Sequence, residues 1–115
     1  MFVYKILSEQ EWESAKTTAM YAGSALDQKD GFIHLSTQEQ LPQTLALYFK
    51  NQEGLRLLSF LANDLEELKW EKSRNDLLFP HLYADLPMDK CVESWILALA
   101  HNGVPILPFR PLNAD

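Results

Sequence analysis

Two short segments of the chain share one pattern, and this repeat constrains the fold more than any other feature of the sequence. Residues 32–36 read FIHLS and residues 79–83 read FPHLY. Side chains alternate between the two faces of an extended strand. One face of each segment therefore carries an aromatic ring, an imidazole and a hydroxyl group, and the opposite face carries apolar groups. We predict two strands that each turn an apolar face to the core and a polar face to a cleft.

The two histidines of this pattern are the candidate functional residues that the repeat singles out. The predicted polar faces consist of Phe32, His34 and Ser36 in the first strand and of Phe79, His81 and Tyr83 in the second. Ile33, Leu35 and Leu82 then point into the core. A buried imidazole destabilises a fold unless it is hydrogen-bonded. Each histidine is therefore either a ligand-contacting group in a shared cleft or a core residue that donates to a backbone carbonyl.

Composition excludes several classes of function. A chain of 115 residues is predicted to form one domain, residues 1–115, and 47% hydrophobic residues are enough for a core. The net charge of −6 repels the phosphates of duplex nucleic acid, so we expect no binding of that kind. The single cysteine, Cys91, rules out an internal disulfide and a cysteine-rich metal site. Its apolar surroundings favour an inert buried thiol.

Targeting signals and the common catalytic motifs are also missing from the sequence. No signal-peptide pattern opens the chain, and no apolar run approaches the roughly 20 residues that span a bilayer. We therefore expect a cytoplasmic protein that does not associate with membranes. The three histidines, at positions 34, 81 and 101, lack the close spacing of metal ligands, so we expect no metal site. The sequence also lacks the glycine-rich motifs that bind phosphate and the nucleophile-elbow motif of α/β-hydrolases.

The order of apolar and turn-forming segments predicts an α+β fold with a mainly antiparallel sheet. Strands are expected over residues 2–7, 32–35, 55–61, 68–72, 77–83, 91–100 and 104–107. The segment 91–100 is long enough for a helix, but Asn102-Gly103 is a hairpin signal and favours a strand there. Pro80 lacks a backbone N–H group, so its strand is expected at a sheet edge or at a bulge.

Two helices are expected in the first half of the chain. Ser8 and Glu11 have the spacing of a capping box, and the helix they open carries Trp12, Ala15 and Ala19 on one stripe. Ser36 or Thr37 is expected to cap a second helix within residues 37–50, with Glu39 and Gln40 as box partners and a restart at Pro42. The stretch 27–31 is expected to be a loop or a single helical turn.

Charged and hydroxyl residues near the repeated segments add further candidates. Arg74 can bind a phosphate through two hydrogen bonds, and Glu71 can bind ribose hydroxyls or act as a base. Ser36 and Thr37 stand at a predicted helix start, where free N–H groups attract phosphate. Residues 69–74 can equally form a solvated edge strand. Phe79 and Tyr83 can stack on a heteroaromatic ring or serve as core aromatics.

The strings DGFIHLST (30–37), LKWE (68–71), SR (73–74) and LFPHLY (78–83) resemble the bacterial family called domain of unknown function 952. That family is grouped with the ADP-ribosyltransferase-like proteins, and the FIHLS string looks like the histidine-leucine-serine strand of RNA 2′-phosphotransferases, which use NAD. The resemblance implies a split, curved, mainly antiparallel sheet with a nicotinamide cleft, and it assigns His34 and Ser36 to that cleft. It does not carry over a catalytic glutamate, and Glu71 is proposed from its place beside Arg74.

Three functions remain open from the sequence. The first is an NAD-using enzyme for ADP-ribosyl transfer or NAD hydrolysis, with Glu71 and His34 catalytic. Its ligand-binding residues are then Ser36, Thr37, Arg74, Phe79, His81 and Tyr83. In such a reaction positive charge builds on the ribose, and a nearby carboxylate stabilises it.

The second function is that of a non-catalytic module that binds a nucleotide or another phosphorylated small molecule. The third is a partner-binding protein whose strand edges dimerise. The sequence leaves the oligomeric state open.

Overall fold

The computed structural model describes residues 1–110, in which eight strands and three helices follow one another in an α+β order. In chain order they are β1 (Phe2–Ser8), α1 (Glu9–Thr18), β2 (Met20–Tyr21), α2 (Ala25–Asp30), β3 (Ile33–His34), α3 (Leu41–Tyr48), β4 (Leu55–Leu61), β5 (Leu68–Lys72), β6 (Leu78–Leu82), β7 (Leu86–Pro87) and β8 (Cys91–Leu97). The predicted fold class, α+β with antiparallel pairing, is confirmed.

The strands form two three-stranded antiparallel sheets and one short two-stranded sheet. The first sheet has the order β1-β4-β8, the second has the order β3-β6-β5, and β2 pairs with β7. Among the described residues, a single bridge joins the two larger sheets, where the backbones of Tyr4 and Ser36 exchange hydrogen bonds of 2.8 and 3.0 Å. The edge of β1 therefore lies directly beside the end of β3, and residues distant in sequence meet at this junction.

The two sheets pack against the helices through two clusters of apolar side chains. One cluster joins β1, β3, β4 and β6 to α1, and it contains Ile33, Leu35 and Leu82 as predicted. The other lies between the first sheet and α3, where Leu41 and Leu45 are almost fully buried. The prediction from side-chain alternation, that the apolar face of each histidine segment packs in the core, is thus confirmed.

The first helix begins as predicted. The Ser8 hydroxyl accepts from the backbone N–H of Glu11, and the Glu11 carboxylate accepts from the backbone N–H of Ser8, both at 3.0 Å. Such a box satisfies two N–H groups that have no partner within the helix. Ala15 is buried, but Ala19 ends the helix in the left-handed conformation with φ 66° and is not part of the predicted stripe.

The segments around the two later helices differ in detail from the prediction. Residues 25–30 form a true short helix, α2, where a loop or one turn was expected. Before α3, Thr37 and Gln40 bond reciprocally, because the Gln40 side chain accepts from the Thr37 N–H at 3.0 Å and the Thr37 hydroxyl accepts from the Gln40 N–H at 3.3 Å. Pro42 then falls in the first turn of α3, where its missing N–H group costs nothing.

The position of Pro80 corrects the prediction of an edge strand or a bulge. Its strand, β6, is the central strand of the second sheet, between β3 and β5. The Pro80 carbonyl accepts from the N–H of Leu35 at 3.1 Å. Because a strand residue directs its N–H and C=O groups to the same neighbour, the missing N–H also faces Leu35. That residue lies just past the two paired residues of β3, so the sheet loses one hydrogen bond at the end of a ladder.

The C-terminal hairpin is present in a shorter form than predicted. The segment from Cys91 is a strand, and a turn at Asn102-Gly103 brings the chain back, with the Ala100 N–H donating to the Val104 carbonyl at 3.0 Å. The return is a single bridge between Leu99 and Pro105 rather than a strand. None of the helices that the structure describes has the length and hydrophobicity to cross a bilayer.

Replacing Ser8 by alanine removes the acceptor for the first turn of α1. We expect the Ser8→Ala variant to lose about 1 kcal/mol of unfolding free energy, as N-cap substitutions commonly do. Urea denaturation at neutral pH measures this loss. The matched control is Ser14→Ala, at an exposed position within the same helix, which should change stability by less than about 0.5 kcal/mol. Equal losses in both variants would contradict the capping role.

Candidate functional site

A cavity of about 550 Å³ opens at the junction of the two sheets. Residues of β1, α2, β3, α3 and β6, and of the turn that precedes β6, form its walls. This volume lies within the range of small-molecule sites in proteins. Five of the residues predicted from sequence line it, namely His34, Ser36, Arg74, Phe79 and His81.

The two histidines stand side by side across neighbouring strands. His34 of β3 is the register partner of His81 of β6, and their ring centroids are 5.7 Å apart. Phe32 stacks on the His81 ring at 4.0 Å and contacts His34 at 4.6 Å and Tyr83 at 5.3 Å. The shared face that the alternation of the two segments predicted is confirmed. It forms an aromatic wall on which both imidazoles are fixed.

The buried carboxylate of Asp27 holds His34 in place. One oxygen, Oδ1, accepts from the His34 backbone N–H at 3.1 Å and lies 2.6 Å from His34 Nδ1. The other, Oδ2, accepts from the Ser24 N–H at 2.9 Å and from the Lys5 ammonium group at 2.7 Å. Burial by itself raises the pKa of Asp27, but the bond from His34 and the charge of Lys5 outweigh it, so the pKa lies far below its usual range.

Lys5 supplies the compensating charge for this carboxylate. It lies on β1 and is 5% exposed, and its ammonium group also donates to the His34 carbonyl at 3.2 Å. Burial lowers the pKa of Lys5, and the neighbouring Asp27 offsets part of that effect. An ammonium group in this environment is stable only because it is paired and hydrogen-bonded.

The close approach of α2 to this network depends on Gly23. Its backbone adopts φ 105°, and an added Cβ atom would lie 2.8 Å from the Cβ atom of Asp27. Any side chain at this position would therefore both strain the backbone and displace the carboxylate. Ser24, the next residue, caps α2 and forms a reciprocal box with Asp27.

The second nitrogen of His34 faces another carboxylate. Nε2 lies 3.0 Å from Oδ2 of Asp30, the last residue of α2. Asp27 and Asp30 can both accept from the ring only when it carries both protons. In the neutral ring with Nδ1 protonated, Nε2 is an acceptor. Since Asp30 and His34 both line the cavity, this end of the site offers a carboxylate and an imidazole to a ligand.

A parallel arrangement holds His81. Its Nδ1 lies 2.8 Å from the Glu71 carboxylate, which also accepts from the Tyr83 hydroxyl at 2.7 Å. The bonds from Tyr83 and His81 lower the pKa of Glu71 and keep it ionised. Glu71 and Tyr83 stand next to His81 but outside the cavity lining that the described residues form. Glu71 thus orients the imidazole of His81. The sequence had instead predicted that Glu71 contacts the ligand directly.

Arg74 lies against two aromatic rings at another part of the cavity. Its guanidinium carbon is 4.9 Å from the Phe79 ring centroid and 5.7 Å from that of Tyr48. One terminal nitrogen donates to the Thr44 hydroxyl at 3.1 Å, whereas Nε is buried without a hydrogen-bond partner among the described residues. The two rings restrict the guanidinium plane, as cation–π contacts do.

The two hydroxyl residues of the first segment have different positions. Ser36 is buried and lines the cavity, and its backbone forms the bridge to Tyr4. Thr37 stands outside the lining formed by the described residues, and its hydroxyl and N–H are both bonded to Gln40. Within residues 1–110 no group of three or more histidine, cysteine or acidic side chains is arranged to hold a metal ion.

Several residues of the site were missed by reasoning from the sequence. These are Lys5, Asp27 and Asp30 at the histidine end and Thr44 and Tyr48 near Arg74. Two local signals were available. Lys5 interrupts an otherwise apolar strand, and Ser24 and Asp27 have the spacing of a capping box. Neither signal reveals that Lys5 and Asp27 form an ion pair, since they are 22 residues apart.

The chain belongs to the family described as "protein of unknown function (DUF952)", whose model matches residues 6–94. This range includes Asp27, His34, Arg74 and His81. The resemblance inferred from the four sequence strings is thereby confirmed at the level of the family. A comparison with curated proteins finds no significant match.

Solved structures of one bacterial protein are similar to this chain over most of its length. The crystal structure of protein CC0527 from Caulobacter crescentus is 46% identical, with a TM-score of 0.90 over 92% of this chain and 94% of that one. The solution NMR structure of CC0527 is 47% identical, with a TM-score of 0.82 over 90% of each chain. The descriptions of the family and of these structures name no activity.

Replacing Asp27 by asparagine leaves the Lys5 ammonium group buried without its counter-charge. We expect the Asp27→Asn variant to lose about 3–5 kcal/mol of unfolding free energy. Combining it with Lys5→Met should recover part of that loss, because the uncompensated charge is then removed. Asp89→Asn, at an exposed position, is the control and should be close to neutral. Additive losses in the double variant would contradict the pairing.

The depressed pKa of Asp27 also predicts how stability depends on pH. This carboxyl group binds its proton less readily in the folded state than in the unfolded state. Its contribution is therefore fully present above the ordinary aspartate pKa of about 3.9 and is lost as the pH falls below that value. Urea denaturation from neutral pH to about pH 2 should show a smaller acid-induced loss for Asp27→Asn than for the parent chain. Equal losses in the two proteins would argue against this assignment.

Proposed function

We propose that the chain binds a nucleotide of the NAD class in this cavity. The observation that carries the proposal is the convergence of two imidazoles, the Asp30 carboxylate and a guanidinium on one cavity of about 550 Å³. Nucleotides combine phosphate, ribose hydroxyls and a flat base, and these side chains complement each of those groups. The resemblance of the FIHLS strand to NAD-using proteins supports the same choice of ligand.

Two sets of side chains in the cavity are proposed to bind different parts of the ligand. Phe79 and His81 are neighbours on one face of β6, about 7 Å apart along the strand. Arg74 packs on Phe79, so its guanidinium group lies beside the residue that precedes His81 on this face of β6. We place a phosphate at Arg74, which suits bidentate recognition of that group. The ribose hydroxyls then bond to His34 and Asp30, and Ser36, which bridges to Tyr4 of β1, also lines the cavity.

Cleavage of the nicotinamide–ribose bond is the second candidate function. The observation that favours it is the Asp30 carboxylate, which lies in the cavity 3.0 Å from His34 Nε2. A carboxylate beside the ribose stabilises the positive charge that develops there as the bond breaks. In this proposal Asp30 takes the electrostatic role that the sequence gave to Glu71, and Glu71 positions His81.

Calorimetric titration with NAD, ADP-ribose and nicotinamide tests the binding proposal. We expect NAD and ADP-ribose to bind, and His34→Ala to abolish binding while the variant remains folded. His101→Ala is the matched control, because it removes an exposed histidine that does not line the cavity. No heat of binding at millimolar concentrations would overturn the proposal. Self-association in the absence of ligand would then favour the partner-binding alternative.

An assay for free nicotinamide separates the enzyme from the binding module. If the chain cleaves NAD, Asp30→Asn should reduce turnover by about 100-fold or more and leave the dissociation constant within a few-fold, since it removes charge stabilisation of the transition state. Glu71→Gln should have a smaller effect on turnover, because it acts through His81. Binding without nicotinamide release would identify a non-catalytic module. A larger turnover loss in Glu71→Gln would restore Glu71 as the catalytic carboxylate.

A further inference from the structure

Some charged side chains of the cavity are already paired within the protein, and others remain able to bind a ligand. Among the described residues, Lys5 and Arg74 are its basic side chains, and Glu11, Asp27 and Asp30 are its carboxylates. We infer that the cavity recognises one phosphate group only, so that the mononucleotide half of a dinucleotide is its true ligand. This inference rests on the proposed function and specifies its substrate class.

Lys5 is not available to a second phosphate. Its ammonium group already donates to Asp27 and to the His34 carbonyl, and its side chain is almost fully buried. Moving it toward a ligand would leave Asp27 buried without its counter-charge, which is strongly unfavourable. The positive charge of Lys5 is therefore committed to the network that orients His34.

Arg74, in contrast, has hydrogen-bonding capacity that the described residues do not use. Its Nε atom is buried and unpartnered, and its one described hydrogen bond is to the neutral hydroxyl of Thr44. The terminal nitrogens carry more N–H groups than the one that donates to Thr44, and a ligand oxygen can accept from these. The planar group offers one bidentate face, which matches one phosphate. Tyr48 and Phe79 keep that face in place.

The carboxylates disfavour a second anionic group. Glu11 accepts from the Ser8 N–H and from the Tyr21 hydroxyl, and Asp27 has its four donors, so both are satisfied without a ligand. Asp30, at 38% side-chain exposure, remains open to a ligand hydroxyl or cation. Like charges repel strongly in a partly desolvated site. A phosphate at Arg74 with a ribose or pyridinium group toward Asp30 meets complementary charge at both places.

Nicotinamide mononucleotide has this distribution of charge, with one phosphate and a cationic ring on the same ribose. NAD contains that unit together with a second phosphate and adenosine, for which the cavity provides no further cation among the described residues. The structure therefore assigns binding affinity to the phosphoribosyl unit. The adenosine portion of NAD would extend out of the cavity.

Titration calorimetry of the wild-type chain with a ligand series tests this inference directly. The series is NAD, nicotinamide mononucleotide, nicotinamide riboside and ribose 5-phosphate. We expect the mononucleotide to bind within about threefold of NAD and the riboside about 10- to 100-fold more weakly than the mononucleotide, as the loss of a charged hydrogen bond predicts. Ribose 5-phosphate should compete with the mononucleotide.

The Arg74→Gln variant locates the phosphate. This substitution should weaken binding of the mononucleotide by the factor that separates the wild-type dissociation constants of the riboside and the mononucleotide. Binding of the riboside should be unchanged. Lys72→Gln, which removes an exposed positive charge nearby, controls for general electrostatic attraction. Because the wild-type ligand series is independent of any variant, the inference remains testable even if Arg74→Gln does not fold.

The outcomes distinguish this inference from the proposed function. If NAD binds more than tenfold tighter than the mononucleotide, both phosphates are recognised, and the inference is wrong while the proposed function stands. If the riboside binds as well as the mononucleotide, the phosphate subsite at Arg74 is wrong. If no member of the series binds at millimolar concentration, both proposals are wrong.

Discussion

The carboxylate of Asp27 is the interaction on which the arrangement of the site depends. It accepts from Lys5 on β1, from the N-cap of α2 at Ser24, and from both the backbone and the ring of His34 on β3. Burying an ionised carboxylate is costly unless its oxygens are well supplied with donors, and here four donors from three elements supply them. One side chain thereby joins the first sheet, a short helix and the second sheet where the cavity opens. Gly23 is needed because its backbone lies so close to Asp27 that a side chain at this position would displace the carboxylate.

Both imidazoles of the cavity are oriented by a carboxylate at Nδ1, but the two carboxylates have different surroundings. Asp27 is buried and paired with a lysine, whereas Glu71 is 40% exposed and is bonded to the Tyr83 hydroxyl. A carboxylate at Nδ1 fixes the rotation of the ring and places its proton on that nitrogen, so that Nε2 is left to other partners. For His34 the neighbour of Nε2 is Asp30, and this pair brings acid–base groups into the cavity. The aromatic wall of Phe32 limits the movement of both rings.

The charge distribution of the cavity narrows the ligands that it can hold. Its two basic side chains have different roles. Lys5 neutralises a buried carboxylate, whereas Arg74 packs on aromatic rings without an ion pair among the described residues. A ligand with an anionic group at one place and a hydroxyl or cation at the other is complementary to this distribution. The chain is 46% identical to CC0527 of Caulobacter crescentus and has a similar fold, so the same experiments can be carried out on that protein.

The sequence by itself determined most of the longer helices and strands, the family and the faces of the histidine strands. Capping at Ser8, the alternation around His34 and His81 and the α+β order all depend on residues a few positions apart, where propensity and periodicity act directly. Only the tertiary structure decided that β6 is a central strand, that Lys5 pairs with Asp27, and that Glu71 supports His81 rather than lining the cavity. These facts depend on which strands become neighbours. Strand order is set by the burial of whole apolar faces across the molecule, which no short segment of the sequence encodes.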